Sequence, residues 1–136
     1  MMSETGIVDL ACNHSVTETL ARLESLLQSK GIKVFARIDH AMEARAACLT
    51  MRPTVLLIIG DPKLGTPLMK RHPSLALDLP SKALIWESSV GKVWLSYNSP
   101  EFLQQRHYLD APPFGIIIEL LRGAAGHSEA YHSHVS

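Results

Sequence analysis

Ser15-Val16-Thr17-Glu18-Thr19-Leu20-Ala21-Arg22-Leu23-Glu24-Ser25-Leu26-Leu27-Gln28-Ser29-Lys30-Gly31, running straight into Ile32-Lys33-Val34-Phe35-Ala36-Arg37-Ile38-Asp39, is the stretch on which the fold turns. Ser15-x-x-Glu18 has the form of a capping box, in which the hydroxyl and the carboxylate satisfy the first free N–H groups of a helix. The spacing predicts a helix from Val16, with Val16, Leu20, Leu23 and Leu27 on one apolar stripe facing a sheet. Gly31 is placed to take the left-handed conformation that ends it. The period then drops to two. Ile32, Val34, Ala36 and Ile38 alternate with Lys33, Arg37 and Asp39, with Phe35 interrupting the polar side, and this predicts a strand with one buried face.

Upstream, Ile7 to Cys12 reads as a short strand. Downstream, Asp39 caps a second helix whose narrow stripe is Ala41, Ala44 and Cys48, stopped at Arg52-Pro53 because the residue before proline disfavours helix. Thr54 to Ile59 is a continuous branched apolar run suited to a central strand. Gly60-Asp61-Pro62-Lys63-Leu64-Gly65 has the composition of a loop, after which Thr66 and Pro67 supply the cap and first residue of a short helix. Pro73 and Pro80 keep the following region irregular. Lys82 to Glu87 and Lys92 to Tyr97 form a hairpin through Ser88-Ser89-Val90-Gly91. Ser99-Pro100-Glu101 starts a helix toward Leu109. Phe114 to Arg122 is apolar nearly all round, which requires burial inside the domain or against a second copy. From Gly123 the chain turns small and polar. The organisation expected is one domain over residues 1–122 and a mobile, histidine-containing tail over 123–136.

The chain has 136 residues, 46% of them hydrophobic, enough for one core and too few for two ordinary domains. Lys plus Arg equals Asp plus Glu at 13 each, so no positive excess exists to neutralise a phosphate backbone, and nucleic acid is not an expected partner. The N-terminus lacks a basic segment followed by an apolar one, and no apolar run approaches the ~20 residues that span a bilayer. The cytoplasm is the expected location, with no membrane partner. Cys12 and Cys48 share no metal-type spacing and are expected to be small core residues.

Several segments together resemble a known family: Ile38-Asp39-His40-Ala41; Arg52-Pro53-Thr54; Gly60-Asp61-Pro62-Lys63-Leu64-Gly65-Thr66-Pro67-Leu68-Met69; Leu77-Asp78-Leu79-Pro80; and Trp86-Glu87 through Lys92-Val93-Trp94-Leu95-Ser96-Tyr97-Asn98. In this order they look like the domain of unknown function 302 family, over roughly Ile32 to His107. The Gly-x-Pro-x-x-Gly-Thr-Pro-Leu-Met form of the central loop is the distinctive part. The resemblance implies an α+β fold, an antiparallel sheet with helices packed on it in a TATA-binding-protein-like β-α-β4-α arrangement, and a chain that is often dimeric. Fold alone carries no DNA binding with it. The sequence departs from the family pattern at Asp61, where Asn is expected, and in its shorter, more apolar last segment.

Candidate chemistry is sparse. The loop lacks the Gly-x-x-x-x-Gly-Lys-Ser/Thr spacing of a phosphate-cradling loop; it is either a ligand loop, with Asp61, Gly65 and the Thr66 hydroxyl near a helix N-terminus, or a rigid connection. His40 opens a helix, where the dipole favours neutral imidazole, and is either a base or ligand or a packed histidine. His107 shares a stripe with Leu103 and is expected at the core edge. Glu87 is expected to pair with Lys92 across the hairpin, and Trp86, Trp94 and Tyr97 either line a pocket or fill the sheet core. His127, His132 and His134 lack acidic or thiol partners, so no metal site is expected.

The leading expectation is a noncatalytic homodimeric domain binding a small polar or anionic ligand near His40, the loop and the hairpin aromatics. Two alternatives stand beside it: an enzyme in which at least two of His40, Glu87 and His107 converge for acid–base chemistry, and a protein-interaction module using the apolar C-terminal segment. No particular cofactor is indicated.

Overall fold

The computed structural model describes residues 5–127. Five antiparallel strands, β1 (Ile7–Ala11), β2 (Lys33–Asp39), β3 (Thr54–Gly60), β4 (Ser81–Glu87) and β5 (Val93–Asn98), form one sheet in the order β1-β5-β4-β3-β2. Five helices accompany them: α1 (Val16–Ser29), α2 (His40–Ala46), α3 (Pro62–Arg71), α4 (Pro100–His107) and α5 (Gly115–Ala125), with a 3-10 turn over Pro73–Leu77. The fold is α+β, an antiparallel sheet flanked by helices.

α1 forms as its sequence dictates. Ser15 Oγ accepts from the Glu18 N–H at 3.0 Å, and Val16, Leu20, Leu23 and Leu27 are all buried. Beneath that stripe lie Leu10, Val55, Leu57, Ile59, Ala83, Ile85 and Leu95, the alternate residues of one sheet face. α5 packs beside α1 on the same face and puts Ile117, Leu120, Leu121, Ala124 and Ala125 into the same core. Burying one large apolar side chain is worth roughly 1.5–3 kcal/mol, so the α1, α5 and sheet contact dominates the stability. The opposite sheet face, with Leu56, Ile58, Leu84, Trp86 and Trp94, carries no packed helix among the described residues and stays half-buried.

Several expectations are corrected by this arrangement. β2 has no buried face: it is an edge strand, its pairing with β3 shifts between Val34 and Ala36, and Val34, Phe35 and Ile38 are exposed. An edge strand lies beyond the area its helix layer covers, so alternation in the sequence does not become burial. α2 ends at Ala46, leaving Cys48 exposed and in the left-handed region at φ 62°, outside the core. Only Cys12 is half-buried. α3 begins at Pro62, five residues before the expected first residue Pro67, because the Asp61 carboxylate caps the Lys63 N–H at 3.0 Å and Pro62 occupies the first turn. Thr66 and Pro67 lie inside the helix.

α5 runs past residue 122, and its end is tied down: Arg22 donates to the Ala124 and Gly123 carbonyls at 3.3 and 3.1 Å, and the Asn13 N–H donates to Ala125 O at 3.1 Å. The helix reaches Ala125, and His127 Nε2 lies 3.2 Å from Ala11 O. His132 and His134 fall outside the described residues. The apolar 114–122 segment covers this chain's own core, so it needs no partner to explain it.

Candidate functional site

Helix α3 and the start of β4 enclose a cavity of about 320 Å³ at the end of the sheet where β3 finishes. Gly60 ends β3, Asp61 caps α3, and the first turns of α3 supply Pro62, Gly65, Thr66 and Met69. Leu79 and Pro80, joined by a cis peptide, and Ser81 close one side. Phe35, displaced by the β2 bulge, and Phe114 with Ile117 close the others. A Cβ at Gly65 would make ordinary contact with Leu79 Cδ1 at 3.4 Å and Met69 Cε at 3.7 Å, so a side chain there fits between the walls. The cavity holds no Lys, Arg or His, and its polar side chains are Asp61, Thr66 and Ser81.

Of the sequence candidates, Asp61, Gly65 and Thr66 meet here; the others do not. His40 is exposed at the start of α2, at the opposite end of the sheet. Glu87 lies at that same far end and pairs with Arg52 at 2.5 Å, while its cross-strand neighbour is Val93. The expected Glu87–Lys92 pair is absent because Lys92 sits in the turn, its Nζ 5.1 Å from the Trp94 ring. Trp94 lies on the open sheet face opposite Trp86, whose indole N–H donates to Ser96 Oγ at 2.9 Å; Ser96 in turn donates to Asp9. Tyr97 points to the helix side, where burial pushes its phenol pKa up from 10.0. Trp94 and Tyr97 thus line no common pocket.

His107 belongs to a third place. It is buried on α4, with Nδ1 2.7 Å from Ser74 Oγ and Nε2 2.6 Å from Asp78 Oδ2. The expected convergence of at least two of His40, Glu87 and His107 is not seen: His107 is at the opposite end of the sheet from the other two, and Glu87 pairs with Arg52, with no hydrogen bond or ion pair to His40 among the described residues. The partners it does have, Ser74 and Asp78, carry no local signal beyond the Leu77-Asp78-Leu79-Pro80 segment. Among the described residues, no group of His, Cys, Asp and Glu is arranged to hold a metal ion.

A family model described as "Domain of unknown function DUF302" matches residues 8–115. The chain belongs to this family. Among solved structures, the uncharacterised DUF302 protein from Bacillus stearothermophilus superposes with a TM-score of 0.68 at 17% identity, over 87% of this chain and 88% of that one, a likeness of fold. Two curated relatives are 45% identical over 106 residues, 78% of this chain: fluoride-specific ion channel FluC 1 of Brucella suis, of which the match covers 42%, and FluC 2 of Brucella melitensis, of which it covers 39%. The DUF302 chain thus spans less than half the length of these relatives. Among its described residues no helix is long and apolar enough to cross a membrane.

Proposed function

We propose that this DUF302 domain binds a small molecule with a largely apolar body in the cavity beneath α3. The carrying observation is the cavity itself, whose size falls at the lower bound of small-molecule sites, roughly 300–1,000 Å³, and whose walls are apolar apart from three side chains. Of the small polar or anionic ligand expected from the sequence, the anionic form would find no cation there and would face the Asp61 carboxylate. A ligand with a neutral or cationic polar tip matches the Asp61, Thr66 and Ser81 edge. The channel relatives fit this reading: a binding domain joined to a channel elsewhere would accompany conduction rather than form the pore. A homodimer joined through the open sheet face completes the proposal.

Indole and octylamine are suitable probes, one with a neutral and one with a cationic polar tip, and sodium fluoride is the anion arm. A ligand that binds only the native state at tenfold its Kd adds about 1.4 kcal/mol of stability, which shifts the thermal midpoint by several degrees in a domain of this size. Gly65→Leu should abolish the shift while leaving the midpoint unchanged or higher, because the side chain fills the cavity and helix propensity improves by up to about 1 kcal/mol. A shift with fluoride alone, or a probe shift that survives Gly65→Leu, removes the proposal.

A further inference from the structure

We propose that Ser74, His107 and Asp78 form a nucleophilic site for acyl transfer, with Ser74 as nucleophile, His107 as its base and Asp78 as the positioning residue. The site is separate from the cavity beneath α3, whose lining includes none of the three.

With His107 in its neutral form, the hydrogen-bond chain sets the proton positions. A neutral imidazole has one donor and one acceptor nitrogen, and a carboxylate only accepts. With Asp78 Oδ2 2.6 Å from Nε2, the ring proton belongs on Nε2. Nδ1 is then an acceptor, and the hydroxyl 2.7 Å away, Ser74 Oγ, must donate to it. Arg106 Nη1, 3.6 Å from the other oxygen of Asp78, adds positive charge behind the carboxylate. A nucleophile in hydrogen-bond reach of a base that a third group orients is the recurrent signature of an activated hydroxyl, recognised by geometry and not by chain order.

Exposure separates this cluster from an internal packing contact. The His107 side chain is only 2% exposed and its Nδ1 is reached from the side of Ser74, which lies on the surface at the start of the 3-10 turn. Next in the chain to Asp78 and His107 stand Leu77 and Tyr108, 72% and 86% exposed. They offer apolar surface beside the chain segments that carry the site, which suits a short acyl chain or an aryl leaving group.

The substrate class is a small carboxylic ester. Ser74 Oγ bonds to the carbonyl carbon as its proton passes to His107 Nδ1. The ester C–O bond breaks, and the leaving oxygen takes that proton. Water then adds to the acyl-Ser74 carbonyl, giving its proton to the same nitrogen; the bond to Ser74 breaks and Ser74 recovers the proton. The sum is ester plus water giving acid plus alcohol.

The test uses the full chain with p-nitrophenyl acetate, following nitrophenolate release and mapping acetylation by peptide mass spectrometry. The expected result is an early burst with acetyl on the Ser74 peptide, at least a tenfold lower rate in Ser74→Ala, and acetylation retained in Ser74→Cys. Ser74→Ala should keep the wild-type thermal midpoint to within a few degrees, which shows that the rate loss is not unfolding. Hydrolysis no faster than in buffer, an unchanged Ser74→Ala rate, or acetyl confined to lysines would each overturn the proposal. If Ser74→Ala proves destabilised, acetyl mapping on wild type and Ser74→Cys decides alone.

Discussion

Cys12 shows how one half-buried side chain writes itself into the stability of the whole domain. Burial pushes its thiol pKa up from the ordinary 9.0, with the Thr19 side chain pulling the other way and less strongly. The folded state therefore holds the thiol proton more tightly than the unfolded state. This contribution is complete below the ordinary thiol pKa and is lost as pH rises through the folded value. Tyr97 adds a second contribution of the same sign starting from 10.0. Thermal midpoints between about pH 8 and 10 should fall less steeply in Cys12→Ala than in wild type, whatever constant offset the lost sulfur introduces. Parallel curves for the two proteins would show that the thiol does not titrate differently on folding. The same protonated thiol at neutral pH makes Cys12 a poor nucleophile, which leaves the acyl-transfer chemistry proposed here to oxygen.

At the scale of elements, α5 is the clearest case of a segment whose composition states burial without stating against what. Ile117 is 2% exposed, held between α1, the sheet and the cavity wall. Ile117→Ala should cost about 2–5 kcal/mol, and Ile117→Glu should leave the chain unfolded by circular dichroism, because a carboxylate there has neither water nor a partner. A folded, soluble Ile117→Glu protein would mean that α5 sits at an interface after all. Legibility followed the range of the signal. α1, β3, the β4–β5 hairpin and the start of α4 were readable because their caps and periods lie within a few residues of themselves. The start of α3 is ambiguous in the sequence because Gly, Asp and Pro serve a helix start as well as a loop, and only the Asp61 carboxylate on the Lys63 N–H separates the two. The alternation in β2 does not reveal its exposure, because its edge position is a property of strand order. In the site, Asp61, Gly65 and Thr66 were legible from one loop, whereas Phe35, Leu79 and Ile117 reach the cavity from distant segments. Ser74 and Asp78 meet His107 across 33 and 29 residues, and no spacing rule predicts that contact.

The molecule as a whole has one covered sheet face and one uncovered face, and the asymmetry bears directly on association. α1 and α5 shield the first, while Leu56, Ile58, Leu84, Trp86 and Trp94 lie on the second with no packed helix among the described residues. Five strands about 4.8 Å apart, with about six residues each rising roughly 3.3 Å, make a face of roughly 24 by 20 Å. Two such faces packed together hide on the order of 1,000 Å², the lower bound for a specific interface, so the dimer should be a reversible one visible at micromolar concentration. A two-fold arrangement lets the same apolar patch serve both copies and closes the assembly at two. Light scattering over a concentration series should therefore show a monomer giving way to a dimer. Leu84→Glu, placed at the centre of the open face on β4, should hold the protein monomeric and folded, with a modest fall in the thermal midpoint measured at low concentration, since the position is half-buried with no helix packed over it and its carboxylate can reach water. An exclusively monomeric wild type would eliminate the dimer. A Leu84→Glu protein that still associates would move the interface away from this face.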